Sequence, residues 1–232
     1  MRILIISQYF WPENFRINDV ALGLKEKGHE ITILTGIPNY PSGRIFSGYG
    51  LFKKRTENFH GMKIVRMPLL PRGSGSGIRL ALNYLSFAII ASALAPFYFC
   101  HKKFDLILVF QPSPITVWLP AIVLKKIYSI PIMLWVQDLW PESIAAVGAL
   151  CSSRTIKFLK LLVRFIYHES NKILVQSKAF PAAIETYGIK SDRIVYMPNS
   201  VEDYYKPKNL GQELKRVSSL PQGFRIMFAG NM

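Results

Sequence analysis

Short apolar runs alternate with amphipathic ones along the whole chain. Arg2–Ser7 is nearly all apolar, the pattern of a strand covered on both faces. Ile17–Lys27 carries Val20, Leu22 and Leu24 on a predicted helix, with Gly28 at its C-terminal stop. Glu30–Thr35 alternates as a second strand and closes a βαβ unit. Further strands are predicted over Met62–Met67, Asp105–Phe110, Pro131–Val136, Lys172–Gln176 and Arg193–Met197. Helices are predicted over Pro114–Tyr128, Thr155–Glu169 and Ala179–Tyr187. This order predicts an α/β protein with a Rossmann-like, doubly wound, mostly parallel sheet. Such sheets bind ligands outside the C-terminal ends of their strands. The loops Gln8–Arg16, Gly36–Arg55, Gln137–Glu142 and the stretch Pro198-Asn199-Ser200 meet that condition.

Three segments depart from the alternation. Gly36–Gly61 reads as one long aromatic and basic loop, with Arg44, Lys53, Lys54 and Arg55. Leu80–Cys100, after a Gly/Ser/Pro linker over Pro68–Gly77, carries no charge and has the length of a membrane span. Asn83, Ser86, Ser92 and Pro96 interrupt it, and Ala88, Ala91 and Ala95 suit close packing on strands. A bilayer at this point would also split one sheet in two, so a buried or membrane-grazing helix is expected. At the far end, residues 201–223 read as a polar linker after a first domain of residues 1–200, and residues 224–232 begin a new apolar strand.

Composition narrows the partners. The 232 residues hold 29 Lys+Arg against 14 Asp+Glu, a formal net charge of +15, with 50% hydrophobic residues. That apolar content excludes intrinsic disorder, and two cysteines, Cys100 and Cys151, exclude a disulfide scaffold. Two isolated cysteines suit a reducing compartment, and the apolar run at the N-terminus is too short for a signal peptide. The charge calls for an anionic partner: nucleic acid, phospholipid or phosphorylated small molecules. Lys157, Lys160, Arg164 and His168 share one face of the predicted helix 155–169, opposite Phe158, Leu161, Leu162 and Phe165. With Arg44–Arg55 and Lys125-Lys126 this favours an anionic membrane surface. No nucleic-acid recognition module is present, so no nucleic-acid partner is expected.

Candidate chemistry gathers in the strand-end loops. The first lacks GxGxxG but precedes a helix N-terminus that favours an anion, and Arg16 adds a guanidinium suited to phosphate. Gln137-Asp138-Leu139-Trp140-Pro141-Glu142 follows a buried strand. Asp138 there is either a base or orienter held in a cleft, or a helix cap. Trp140 either stacks on a sugar ring or fills the core. Glu142 suits the first turn of a helix. His29, His60, His101 and His168 show no metal-ligand spacing, and no serine-hydrolase or Walker pattern occurs.

Taken in order, Arg2–Glu13, Gly28–Thr35, Val136–Glu142, Met197-Pro198-Asn199-Ser200-Val201 and Phe228-Ala229-Gly230-Asn231 resemble the N-terminal half of family 4 glycosyltransferases. The nearest group is that of O-antigen, capsule and colanic-acid assembly, such as N-acetylfucosaminyl transferases. The resemblance implies the N-terminal, acceptor-binding domain of a GT-B fold, with only the first strand of the donor-binding domain following. It implies a retaining hexosyl or N-acetylhexosaminyl transferase that uses a nucleotide sugar as substrate and needs no cofactor and no metal. Its acceptor would be a lipid-linked saccharide or polysaccharide, met in the cytoplasm at the inner face of the plasma membrane. Asp138 would be catalytic; Asn39, Tyr40, Gln137 and Trp140 would bind acceptor; Asn14, Arg16 and Asn199 would face the donor phosphates. The wider family carries a Gly-Gly pair in the first loop, where this chain has Pro12-Glu13-Asn14-Phe15. The residues that grip the donor would lie in the missing second domain, so a fragment or half of a split enzyme, inactive alone, is expected. The alternatives are a non-catalytic basic module at the membrane and, disfavoured by the first loop, a Rossmann-type oxidoreductase.

Overall fold

Successive residues of a strand point to opposite faces, so an all-apolar strand needs cover on both. In β1 (Arg2–Ile6), Leu4 and Ile6 enter one buried cluster while Ile3 and Ile5 enter the other. The same division holds in β5 (Leu106–Gln111), where Ile107 and Val109 join the first cluster and Leu108 and Phe110 the second. Each buried Leu or Ile of this kind contributes roughly 1.5–3 kcal/mol relative to exposure.

The computed structural model describes residues 1–143 and 152–200. The predicted linker 201–223 and strand 224–232 lie outside the described residues. Residues Met1–Asn199 form one unit around a single eight-stranded sheet. Its remaining strands are β2 (Glu30–Gly36), β3 (Thr56–Phe59), β4 (Met62–Met67), β6 (Ile132–Val136), β7 (Lys172–Val175) and β8 (Ile194–Tyr196). The order is β3-β4-β2-β1-β5-β6-β7-β8, parallel throughout except for the β3–β4 pair. The chain winds outward from β1 to β4 and returns beside β1 as β5. The order therefore reverses between β1 and β5, the place where open sheets of this kind form a ligand crevice. Helix α1 (Ile17–Glu26) packs into the second cluster. Helices α2 (Gly77–Phe99), α3 (Leu119–Tyr128), α4 (Ser153–Glu169) and α5 (Phe180–Glu185) contribute to the first.

The expected doubly wound sheet is the observed one, but four local expectations change. The segment 36–61 is not all loop. Thr56–Phe59 pairs antiparallel with Met62–Val65 through a two-residue turn. His60 and Gly61 take φ of 49° and 76° there, and the Asn58 side chain accepts the Gly61 N–H at 2.7 Å. Thr-Glu-Asn-Phe lacks an apolar run because β3 is an edge strand, with the first and third of its residues exposed. Helix α2 starts at Gly77 rather than Leu80, and Ile115–Trp118 is a 3-10 turn ahead of α3. On α4 the buried face is Val163, Ile166 and Tyr167, whereas Phe158, Leu161 and Phe165 are exposed beside the cations. The apolar residues expected opposite the basic stripe thus border it.

By length and composition alone α2 could cross a membrane. In the structure it lies along the sheet, burying Asn83, Phe87, Ala88, Ala91, Ala95 and Phe99. The three small alanines allow the close approach anticipated from their spacing.

One ion pair is buried in this frame. Arg66, at the C-terminal end of β4, is fully buried, and its Nε donates to Glu57 Oε1 of β3 at 2.8 Å. Its Nη2 donates to the same oxygen and to the Trp11 carbonyl at 2.6 Å. The guanidinium lies 5.0 Å from the Tyr49 ring centroid. Removing one partner of a buried pair leaves an uncompensated charge. Glu57→Ala is therefore expected to cost about 3–5 kcal/mol, read from the urea midpoint; a change below about 1 kcal/mol would show the pair to be solvated.

Candidate functional site

The C-terminal ends of the strands carry two groups of polar and aromatic side chains. The first joins the loops after β1, β2 and β4. Glu13 is buried, and its Oε1 accepts the backbone N–H groups of Asn39 and Tyr40 at 2.8 and 2.7 Å. Its carbonyl accepts Asn18 Nδ2 at 2.8 Å, which ties the first loop to α1. Asn39 is fully buried; its Nδ2 donates to the Ile37 carbonyl, and its Oδ1 accepts Arg72 N at 3.1 Å and Asn83 Nδ2 at 3.4 Å. Asn83 Nδ2 also donates to the Leu70 carbonyl, and Asn83 Oδ1 accepts Gln8 Nε2 at 2.7 Å. Gln8, Asn83, Asn39 and Glu13 thus form one buried network. Beside it the rings of Tyr9 and Phe15 stack at 4.9 Å, and Tyr40 tilts against both. The Arg72 guanidinium covers this cluster, 4.9 Å from the Tyr40 centroid.

The second group lies after β5, β6, β7 and β8. The Gln137 N–H donates to the Gln111 carbonyl, and Gln111 Nε2 donates to the Asp138 carbonyl at 3.3 Å. Gln176 Nε2 donates to the Gln137 carbonyl. Asn199 Nδ2 donates to Gln137 Oε1 at 2.8 Å and to Gln176 Oε1. Trp140 packs against the core, and its Nε1 donates to Ser113 Oγ at 3.2 Å. Asp138 is half-buried, and its carboxylate has no hydrogen bond or ion pair among the described residues.

The expected site residues therefore fall into distinct places. Asn39 and Tyr40 lie in the first group, and the Asn39 amide is taken up by its own loops. Gln137, Asn199, Asp138 and Trp140 lie in the second. Arg16 opens α1 with its Nη1 on Asp19 Oδ2 at 3.1 Å, and Asn14 is exposed one turn earlier. Glu142 is exposed, and the segment after Ser143 lies outside the described residues. No set of His, Cys, Asp or Glu side chains that could hold a metal occurs among the described residues. Sequence reasoning missed Glu13, Asn83, Arg72, Gln111 and Gln176. A signal existed for the first: Trp-Pro-Glu occurs twice, at 11–13 and 140–142, each time just past a strand end.

The chain belongs to the family described as glycosyl transferase 4-like domain, which matches residues 14–200. No curated protein matches it in sequence. Among solved structures it is similar to sucrose-phosphate synthase of Thermosynechococcus elongatus, with a TM-score of 0.62 and 13% identity over 95% of this chain and 53% of that one. It is also similar to HepE of Anabaena in complex with UDP and glucose, at 0.54 and 14% identity over 94% and 50%. A third similar structure is UDP-GlcNAc 2-epimerase of Methanocaldococcus jannaschii, at 0.53 and 16% identity over 86% and 46%. The chain thus spans about half the length of each. At these identities the likeness is one of fold, that of a Rossmann-like GT-B half.

Burial lifts the Glu13 carboxyl from 4.5 to about 7, against the Asn39 and Tyr40 N–H groups, which favour its charged form. A carboxyl raised on folding binds its proton more tightly in the folded state. Its stabilising effect is then full below pH 4.5 and declines as pH rises through about 7. The decline is expected to be on the order of 1–3 kcal/mol. Glu13→Gln keeps the Oε1 acceptor and removes the titration, so its stability should be flatter between about pH 5 and about pH 8. Urea midpoints across that range check this; parallel profiles for both proteins would refute it.

Proposed function

We propose that the chain is the acceptor-binding domain of a retaining glycosyltransferase. It takes a hexose or N-acetylhexosamine from a nucleotide sugar and serves a lipid-linked or polysaccharide acceptor in cell-surface glycan synthesis. The observation that carries this reading is Asp138. Its carboxylate has no partner among the described residues and lies at the end of β6, with Gln137, Gln176 and Asn199 amides and the Trp140 ring in the same group. An unengaged carboxylate can accept the hydrogen of an attacking hydroxyl and hold it in line, while amides fix the remaining sugar hydroxyls. The leaving diphosphate needs its own stabilisation, which the donor-binding domain would supply. No cofactor or metal is expected in this scheme.

Family membership favours transfer over epimerisation, although an epimerase shares the fold. The HepE complexes contain UDP, glucose and UDP-glucose, which supports a nucleotide sugar as donor here. A place at the inner face of the plasma membrane is supported by α4. On that helix Lys157-Phe158, Lys160-Leu161 and Arg164-Phe165 each set an exposed cation beside an exposed apolar side chain. Such a face suits the boundary between anionic headgroups and acyl chains. A non-catalytic membrane module would share this face but give no turnover.

The test is sugar transfer by the full-length protein from a panel of UDP- and dTDP-sugars to lipid-linked saccharides. Asp138→Asn should slow transfer by about 100-fold or more with an unchanged urea midpoint. Near-normal turnover would remove Asp138 from the chemistry, and no transfer from any donor would favour the non-catalytic module.

A further inference from the structure

The outward side of α2 is as apolar as its inward side. Asn83, Phe87, Ala88, Ala91, Ala95 and Phe99 are buried against the sheet. On the opposite side Ile78, Leu82, Leu85, Ile89, Ala93 and Phe97 recur at spacings of three and four residues, and all are exposed. Ile89 is 63% exposed and Phe97 78%. At 1.5 Å per residue this stripe is about 29 Å long. From Leu80 to Cys100 the helix has no charged residue to turn to water. A helix that is apolar all round is covered all round, and here the protein covers one side.

The stripe belongs to a wider surface. Ile89 lines a groove of about 580 Å³ with Ile122 and Lys126 of α3 and Phe165 of α4. No acidic side chain lines that groove. On α4 the exposed Phe158 and Leu161 continue from Phe165, beside Lys157, Lys160 and Arg164. At the C-terminal end of α2, Arg55 Nη2 donates to the Tyr98 hydroxyl at 3.1 Å. That contact holds the end of the loop after β2 beside the stripe. The same loop carries Phe52, which is 90% exposed, followed by Lys53 and Lys54. None of Lys53, Lys54, Lys157, Lys160 and Arg164 has a carboxylate partner among the described residues.

The occupant is argued from charge. A long apolar strip with cations and aromatic rings at its margins matches the zone where acyl chains meet anionic headgroups. To cross a bilayer, α2 would have to pull Ala88, Ala91 and Ala95 off the sheet, so it lies along the interface instead. We propose that the outer face of α2, with the groove to α3 and the Phe158, Leu161 and Phe165 side chains of α4, seats the protein on an anionic bilayer with α2 parallel to its surface. The inference rests on the membrane placement proposed above and adds the surface that makes the contact.

The experiment is co-sedimentation of the full chain with phosphatidylcholine vesicles, with and without phosphatidylglycerol. Binding to the anionic vesicles should be at least ~10-fold tighter than to the neutral ones. Leu85→Ser with Ile89→Ser should weaken it by ~10-fold or more, with an unchanged urea midpoint because both side chains are exposed. Lys157→Gln with Lys160→Gln should remove most of the preference for anionic vesicles. Leu82→Trp puts an indole on the stripe, which brominated phosphatidylcholine should quench. A Leu85→Ser, Ile89→Ser variant that binds as the parent does overturns the proposal, and so does a Leu82→Trp indole that brominated lipid leaves bright. In both cases a chain still held to the vesicles through α4 keeps the membrane placement. A parent that binds neither vesicle type sinks the placement and the proposal together, while the transferase reading stands or falls on turnover. A parent that forms a dimer in place of binding vesicles, dissociated by Leu85→Ser with Ile89→Ser, assigns the stripe to a second copy and overturns the proposal too.

Discussion

A parallel sheet covered on both faces leaves polar side chains one place to gather, the ends of its strands. The ladder satisfies the backbone, and both faces of β1, β5, β6 and β7 are filled with aliphatic and aromatic groups. Beyond Ile6, Phe110, Val136 and Val175 the chain turns polar almost in step. Ile6 pairs with Val109 and Val136 with Val175, so Gln8 stands level with Gln111 and Gln137 with Gln176. A buried amide without partners costs on the order of 1–3 kcal/mol, which is why these amides bond one another and the loop backbones. The satisfaction is incomplete. Gln8 Oε1, Glu13 Oε2, Gln111 Oε1 and Gln137 Nε2 are buried without a partner among the described residues. All four lie at the strand ends, where a bound hydroxyl or an ordered water has the most to offer.

The sheet was legible because its strands are buried on both faces and so read as unbroken apolar runs. β3 was not, because Thr56–Phe59 is a polar edge strand whose Glu57 exists to meet Arg66. The stripe on α4 misled for a related reason. Phe158, Leu161 and Phe165 sit at helical spacing and resemble a core face, yet Val163, Ile166 and Tyr167 are the residues that pack. Periodicity reports that a helix has an apolar face without saying whether protein or something else covers it. At the site, Gln137, Asp138 and Asn199 were visible as polar residues closing apolar runs. Their partners Gln111 and Gln176 ended such runs equally, but neither is followed by a polar and aromatic run like Leu139-Trp140-Pro141-Glu142.

The two Trp-Pro-Glu tripeptides show how far local sequence falls short of local role. Both follow a strand end, and both have a cis Trp-Pro bond. Glu13 folds inward onto the N–H groups of Asn39 and Tyr40, whereas Glu142 is exposed. The difference comes from the neighbouring strand. The loop after β2 passes over the first tripeptide and presents two backbone donors, which a buried carboxyl can use. The identity of the partner is set by topology, a property no window of sequence contains.

Helix α2 joins these threads. Asn83 on its inner face reaches the network that fixes Gln8 and Asn39, so the position of α2 and the shape of the first loop group are one variable. On its outer face Leu82 and Leu85 lie either side of Asn83 in sequence but are exposed. Anything that presses on that outer face acts on a helix whose buried amide holds the loops after β1 and β2. Coupling of that kind needs no moving domain. It needs only that the polar contact and the apolar contact share a rigid element, and a 23-residue helix packed through Ala88, Ala91 and Ala95 is such an element.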